Sequence, residues 1–226
     1  MILTRDLAKS FGSRAVLRGL DLAVEPAAIT LLVGANGAGK TTTLRLLAGL
    51  SHADAGMIAI AGHDLRRSRR AALEQLAFLP QAPRFHPRLT TLQTAEFYAQ
   101  LRGRPRRDAA AALDRWGMLE HADVPTGKLS GGLRQRLALA VFSVAEASVL
   151  LLDEPGLSLD PEWRASLQEY LVDAAARGGT VLVATHLLGE WEGRADRCLL
   201  VENGRSQGEL PPAELRRAFP RLALAS

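Results

Sequence analysis

Gly34-Ala35-Asn36-Gly37-Ala38-Gly39-Lys40-Thr41 carries glycine, glycine-lysine and threonine at the spacing of a phosphate cradle. Its glycines let backbone N–H groups wrap phosphate oxygens, and the Lys40 ammonium neutralises the outer ones. Far downstream, Leu129-Ser130-Gly131-Gly132-Leu133 offers a second anion-binding turn. It precedes the apolar run Val149-Leu150-Leu151-Leu152, which ends in Asp153-Glu154-Pro155. One nucleotide needs only one cradle, so the second turn requires a different phosphate.

The elements that must position these groups can be read on either side. Ile29-Thr30-Leu31-Leu32-Val33 is a β-branched and leucine run expected as a buried strand, and Thr41 to Ala48 is expected as a helix closed by Gly49. Strand, loop and helix then bring a helix N-terminus, with its partial positive charge and unpaired N–H groups, to the polyphosphate. Gly34, Asn36, Gly37, Gly39, Lys40, Thr41 and Thr42 are the expected nucleotide-binding set for ATP or GTP. Lys40 is placed on the β- and γ-phosphates, and the Thr41 hydroxyl on magnesium. Val149 to Leu152 is apolar throughout, as in a central parallel strand covered on both faces. Ligands in such sheets sit beyond the carboxyl ends of the strands. Asp153 is therefore a candidate magnesium ligand, and Glu154 a candidate base for the water that attacks the γ-phosphate.

From about residue 2 to residue 205, and in the order of its motifs, the chain resembles the ATP-binding subunit of an ATP-binding-cassette (ABC) transporter, nearest to exporter-type subunits. The resemblance implies an α/β fold of the P-loop NTPase type, with a RecA-like parallel-sheet core, a small antiparallel β subdomain and an inserted α-helical subdomain. It implies that Phe11 lies under the adenine ring and that Gln81 links the nucleotide site and its magnesium to a membrane partner. Leu157-Ser158-Leu159-Asp160 then crosses a dimer interface, and His186 contacts the γ-phosphate. In that family two subunits meet head to tail, so that Ser130, Gly131 and Gly132 of one complete the ATP site of the other. The surplus cradle is thereby accounted for. Ser130 is suited to cap a helix from Gly131 to Val144, and the two glycines leave its first N–H groups open to an anion. The implied partners are a second ATP-binding subunit, forming a homodimer or a heterodimer with this one, and a polytopic membrane permease, whose coupling helix is received at Arg84, Phe85 and His86.

Three positions depart from the family pattern. Leu133 stands for the usual glutamine, and Leu133-Arg134-Gln135-Arg136 is similar to the version common in exporter subunits. Phe11 replaces the commoner tyrosine, which keeps ring stacking and removes a hydroxyl. Gly156 replaces a frequent threonine, without a functional account.

The 226 residues suit one large α/β domain burying about 70% of its unfolded surface. The expected division is a core over residues 1–81 and 145–205, a helical subdomain over 82–144, and a short tail over 206–226 whose last part is a helix. Within the insertion, residues 91–101 and 107–119 are expected as helices, separated by Gly103 and Pro105. No stretch approaches ~18 uninterrupted apolar residues, and the first residues open no signal peptide. A cytoplasmic protein, peripheral on the inner face of the cell membrane, is expected. The single cysteine, Cys198, falls in an expected strand over residues 197–201 and reads as inert core. Net charge is +4 with a pI near 9.8. The arginine runs at 66–70 and 102–107 lack interleaved aromatics, so no nucleic acid is expected. The remaining histidines, His52, His63, His86 and His121, share no ligand spacing, and no metal beyond magnesium is expected.

Overall fold

The apolar runs become the centre of a six-stranded sheet. The computed structural model describes residues 1–211. In chain order its strands are β1 (Ile2–Phe11), β2 (Arg14–Val24), β3 (Ala28–Val33), β4 (Ala55–Ile60), β5 (His63–Asp64), β6 (Leu76–Leu79), β7 (Val149–Asp153), β8 (Thr180–Ala184), β9 (Arg197–Glu202) and β10 (Arg205–Leu210). The helices are α1 (Lys40–Leu47), α2 (Arg69–Glu74), α3 (Thr91–Leu101), α4 (Arg106–Arg115), α5 (Gly131–Val144) and α6 (Pro161–Ala176), with short 3-10 turns between some of them.

Two compact units divide the chain. Among the described residues, the first holds 1–78, 148–154 and 168–211. Its larger sheet runs β10-β9-β3-β8-β7-β6, and its smaller one runs β2-β1-β4-β5. β3 pairs in parallel with both β8 and β9, and β7 pairs in parallel with β8, while β10 is antiparallel to β9. Every residue of β3, β7 and β8 is buried, which is why these strands read as unbroken apolar runs rather than alternating ones. The smaller sheet is antiparallel. Ile2, Leu7, Leu17, Leu20, Leu22, Val24, Ile58 and Ile60 from it join Leu32, Leu44, Leu47, Leu151, Leu182 and Val201 in one core. At about 25 cal/mol per Å² of apolar surface, that shared core is the main force holding the two sheets to α1.

The second unit holds residues 79–147 and 155–167. It is helical, built from α3, α4, α5 and the first turns of α6. Residues 155–167, which the sequence reading leaves with the strands, belong to it. α3 begins on a reciprocal capping box, with Thr90 Oγ1 accepting from Gln93 N at 3.1 Å and Gln93 Oε1 accepting from Thr90 N at 3.0 Å. The helix expected over 107–119 is shorter, Arg106–Arg115, because Gly117 at φ +58° turns the chain and Met118 N bonds back to Leu113 O. The helix expected in the tail lies outside the described residues; only β10 is seen there.

Both arginine runs lie on loops and helix starts. Arg70 pairs with Glu74, Arg104 with Asp108 and Glu146, and Arg106 with Glu96. Cys198 is buried in β9, and burial pushes its thiol up to about 12, too high for thiolate chemistry.

Candidate active site

Parallel pairing puts the carboxyl ends of β3, β7 and β8 on one edge of the sheet. Leu32 and Asp153 both lie opposite Ala184 in register, so the chain leaves the sheet there as Gly34, Glu154 and Thr185. The exits are stitched together: Glu154 N donates to Ala184 O at 2.8 Å, and Thr185 N donates to Leu32 O at 3.4 Å.

The loop from Gly34 to Lys40 delivers a buried cation. Lys40 Nζ donates to the carbonyl oxygens of Gly34 at 2.6 Å and Ala35 at 3.3 Å. Burial holds its pKa below the ordinary lysine value, against the raising pull of Glu154 and Asp153. Two of the glycines are dictated by neighbours. A Cβ on Gly34 would run into the carbonyl of Val201, and one on Gly39, where φ is +111°, would lie 2.6 Å from Leu17 Cδ2. α1 starts at Lys40 with no side-chain cap, which leaves its first N–H groups for a ligand. At its other end, Arg69 Nη2 donates to Gly49 O at 2.6 Å.

Asp153 and Glu154 face that loop. Thr41 Oγ1 donates to Asp153 Oδ1 at 3.2 Å, so a hydroxyl and a carboxylate oxygen stand together as hard donors of the kind magnesium takes. Burial is the largest cause raising the Asp153 carboxyl above its usual range. The Thr41 hydrogen bond opposes the shift, Glu154 reinforces it, and Lys40 and Arg45 oppose it. Among the described residues, no cluster of three or more His, Cys, Asp or Glu side chains could hold a metal. A divalent ion here would share its coordination with phosphate and water, as magnesium does.

Glu154 is the most constrained group of the site. It is 8% exposed and adopts φ +47°, a left-handed conformation that costs a non-glycine residue about 1–3 kcal/mol. Its Oε1 lies 2.9 Å from His186 Nδ1. Its Oε2 is buried and has no hydrogen-bond partner among the described residues. A carboxylate with one oxygen anchored and the other unsatisfied is arranged to accept a proton from a water. With Nδ1 turned to the carboxylate, the other His186 nitrogen can make a second contact.

Phe11 ends β1, opposite Arg14, with its ring exposed and Lys9 Nζ 5.3 Å from the ring centre. Arg14 Nη2 would lie 3.6 Å from a Cβ on Gly37, so the hairpin that carries Phe11 runs beside the phosphate loop. No spacing in the sequence marks Arg14, because the β1–β2 turn alone brings it to residue 37.

In the helical unit, Ser130 caps α5, its Oγ accepting from Leu133 N at 3.2 Å. Gly131 is exposed, with no atom within 4 Å of a Cβ placed on it. Gln81, Arg84 and His86 are exposed on the segment after β6, and Phe85 stacks edge-on against Tyr98. Leu133 is half-buried in the first turn of α5.

A family model described as ABC transporter matches residues 17–156. The Nod factor export ATP-binding protein I of Burkholderia orbicola (strain AU 1054) is 37% identical over 215 residues, covering 93% of this chain and 71% of that protein. The Nod factor export ATP-binding protein I of Rhizobium etli (strain ATCC 51251 / DSM 11541 / JCM 21823 / NBRC 15573 / CFN 42) is 32% identical, covering 93% and 68%. A solved ATP-binding subunit of an ABC transporter superposes with a TM-score of 0.89 at 24% identity, covering 100% of this chain and 98% of that one. A dimeric ATP-binding cassette in a post-hydrolysis state with ADP and Pi superposes at 0.85 with 21% identity, covering 94% and 99%. Cradle, paired carboxylates, fold and relatives agree, and the chain belongs to the ABC transporter family as one of its ATP-binding subunits.

Proposed function

We propose that this chain hydrolyses ATP as half of a dimer and so powers export of a substrate through a separate polytopic membrane subunit. The observation that carries the reading is Glu154, held through Oε1 by His186 with Oε2 buried and unsatisfied. Lys40 turns from the Gly34 and Ala35 carbonyls to the β- and γ-phosphates of ATP, with Gly34, Asn36, Gly37 and Gly39 lining the loop and Thr42 following in α1. Phe11 stacks on adenine. Glu154 Oε2 takes a proton from the attacking water as its oxygen bonds to the γ-phosphorus. The bond to the bridging oxygen breaks, and the products are ADP and inorganic phosphate. His186 fixes the base and presents its second nitrogen to the γ-phosphate. Thr41 and Asp153 would hold magnesium, with Gln81 as the further ligand that the family pattern implies, and the ion would screen charge on the β- and γ-phosphates.

Ser130, Gly131 and Gly132 serve the ATP of a second copy, supported by the capped helix start with open space at Gly131. ATP then stabilises the closed dimer because each γ-phosphate is bound from both sides, and hydrolysis removes that bridge. The helical unit, with Arg84, Phe85 and His86, receives the membrane subunit while the strand unit serves as the RecA-like core. Among the described residues no helix is long and apolar enough to cross a membrane, which fits a peripheral subunit on the cytoplasmic face. Export is the direction carried by the names of the relatives.

Phosphate release on ATP and magnesium tests the reading. Lys40→Met removes a charge-assisted contact to phosphate worth about 1.5–3 kcal/mol, so ATP affinity falls by about 10- to 150-fold and turnover with it. Wild-type protein that binds no nucleotide, or a Lys40→Met variant that binds it equally well, overturns the reading.

A further inference from the structure

We infer that Trp163 and Arg136 are positioning residues that lock the Ser130 end of α5 to residues 155–160, so that each ATP site of a dimer senses the state of the other. The inference rests on the dimer reading above and adds two residues that touch neither nucleotide nor reacting atom.

Arg136 sits in the second turn of α5. Its Nε donates to Trp116 O at 2.8 Å, and its Nη2 donates to Gly117 O. The guanidinium lies over the ring of Trp163, 4.0 Å from the centroid. Trp116 stands 6.4 Å from Trp163, and a Cβ on Gly117 would meet the Trp163 ring at 2.8 Å. The arginine is thus clamped between two carbonyls at the end of α4 and an indole near the start of α6. Five fixed donors and a flat face are what such a clamp requires, and lysine has neither.

Two further ties join α5 to the segment that directly follows Glu154. Gln135, 3% exposed, donates through Nε2 to Pro155 O at 3.2 Å. A Cβ on Gly132 would lie 3.2 Å from Ser158 O. Residues 155–163 are therefore held to α5 at both ends, by Gln135 at Pro155 and by Arg136 at Trp163. Ser130 is fixed to the same helix through its cap on Leu133. A shift of the chain at Glu154 and Pro155 cannot be absorbed inside this segment without breaking a tie, so it is passed to the helix start that serves the other ATP. Gln135 alone supplies one hydrogen bond; the Trp163 contact makes the connection stiff.

The test uses the full chain as wild type, Trp163→Ala, Trp163→Phe and Arg136→Lys. It reads phosphate release against ATP concentration, binding of a fluorescent ATP analogue to dilute protein, and thermal unfolding. The expected result for Trp163→Ala is a Hill coefficient falling from about 2 toward 1. Turnover falls by about 5- to 30-fold, the range between an exposed and a desolvated cation–π contact, as suits two half-buried partners. Analogue affinity stays within about twofold, since no change reaches the phosphate loop. Trp163→Phe restores most of the coupling by restoring an aromatic face. Equal Hill coefficients and turnover in wild type and Trp163→Ala overturn the inference, as does a Trp163→Phe variant no better than alanine. If Trp163→Ala fails to fold, Arg136→Lys decides: lost coupling with intact analogue binding supports the clamp, and wild-type coupling overturns it. A wild-type protein with a Hill coefficient of 1 and no ATP-dependent dimer defeats the dimer reading itself, and so differs from a failure of Trp163 alone.

Discussion

Alanine at Gly34 and at Gly39 sets packing alone against packing combined with backbone strain in the phosphate loop. At Gly39 the added methyl meets Leu17 Cδ2 at 2.6 Å, and Leu17 is itself 1% exposed. Overpacking of that kind costs about 1–3 kcal/mol. The backbone at φ +111° adds about 1–2 kcal/mol for an L-residue, giving a total of about 2–5 kcal/mol. At Gly34 φ is unexceptional, but the methyl collides with the carbonyl of Val201 and comes to 3.1 Å from Ala38 Cβ. A β9 carbonyl cannot rotate away as a leucine tip can, since Val33 and Leu200 are paired in the parallel ladder beside it. Gly34→Ala therefore falls beyond about 4–5 kcal/mol, the tail of single-substitution effects. Urea unfolding of nucleotide-free protein measures both. Gly39→Ala is expected to fold with a lower midpoint and bind ATP weakly, and Gly34→Ala to be the less stable of the two. A Gly34→Ala protein as stable as wild type, or more stable than Gly39→Ala, refutes the reasoning.

Asp153→Asn tests charge burial. Because burial raises the Asp153 carboxyl, ionisation is harder in the folded chain than in the unfolded one. Stability is therefore lost as pH rises from the ordinary carboxylate range through the raised folded value. The variant should be at least as stable as wild type at about pH 7 by urea unfolding, with the advantage shrinking toward about pH 4, while hydrolysis falls. His186→Ala breaks the 2.9 Å contact to Glu154 Oε1. Steady-state kinetics should find kcat reduced by about 100-fold, with a smaller rise in KM, since the base is left unoriented while the Lys40 loop is intact.

Fold and site were legible to different depths. β3, β7 and β8 announced themselves because burial on both faces makes them almost wholly apolar, with only Thr30, Asp153 and Thr180 polar. α3 and α5 begin where the sequence places them, and both starts are fixed by caps, Thr90 with Gln93 on α3 and Ser130 on α5. β1 resisted reading: Asp6 at φ +48° and several register shifts against β2 break its alternation. α4 was overrun because Trp116 and Met118 continue an apolar pattern past its end, and only Gly117 signals the turn. The sequence also held Glu154 and His186 as separate candidates, 32 positions apart. Adjacency of β7 and β8 joins them, and that is a fact of strand order that no local pattern carries. The Arg136 and Trp163 contact was hidden for the same reason, since α5 and the start of α6 meet only in the folded helical unit.

Glu154→Gln tests the central claim most directly. The amide preserves shape and removes the proton acceptor, so ATP should bind and remain unhydrolysed, with the nucleotide held between two copies. Light scattering after size exclusion in ATP and magnesium should find the variant at twice the monomer mass, returning to monomer when ADP replaces ATP. A variant that stays monomeric with ATP bound, or hydrolyses ATP at the wild-type rate, would contradict the account.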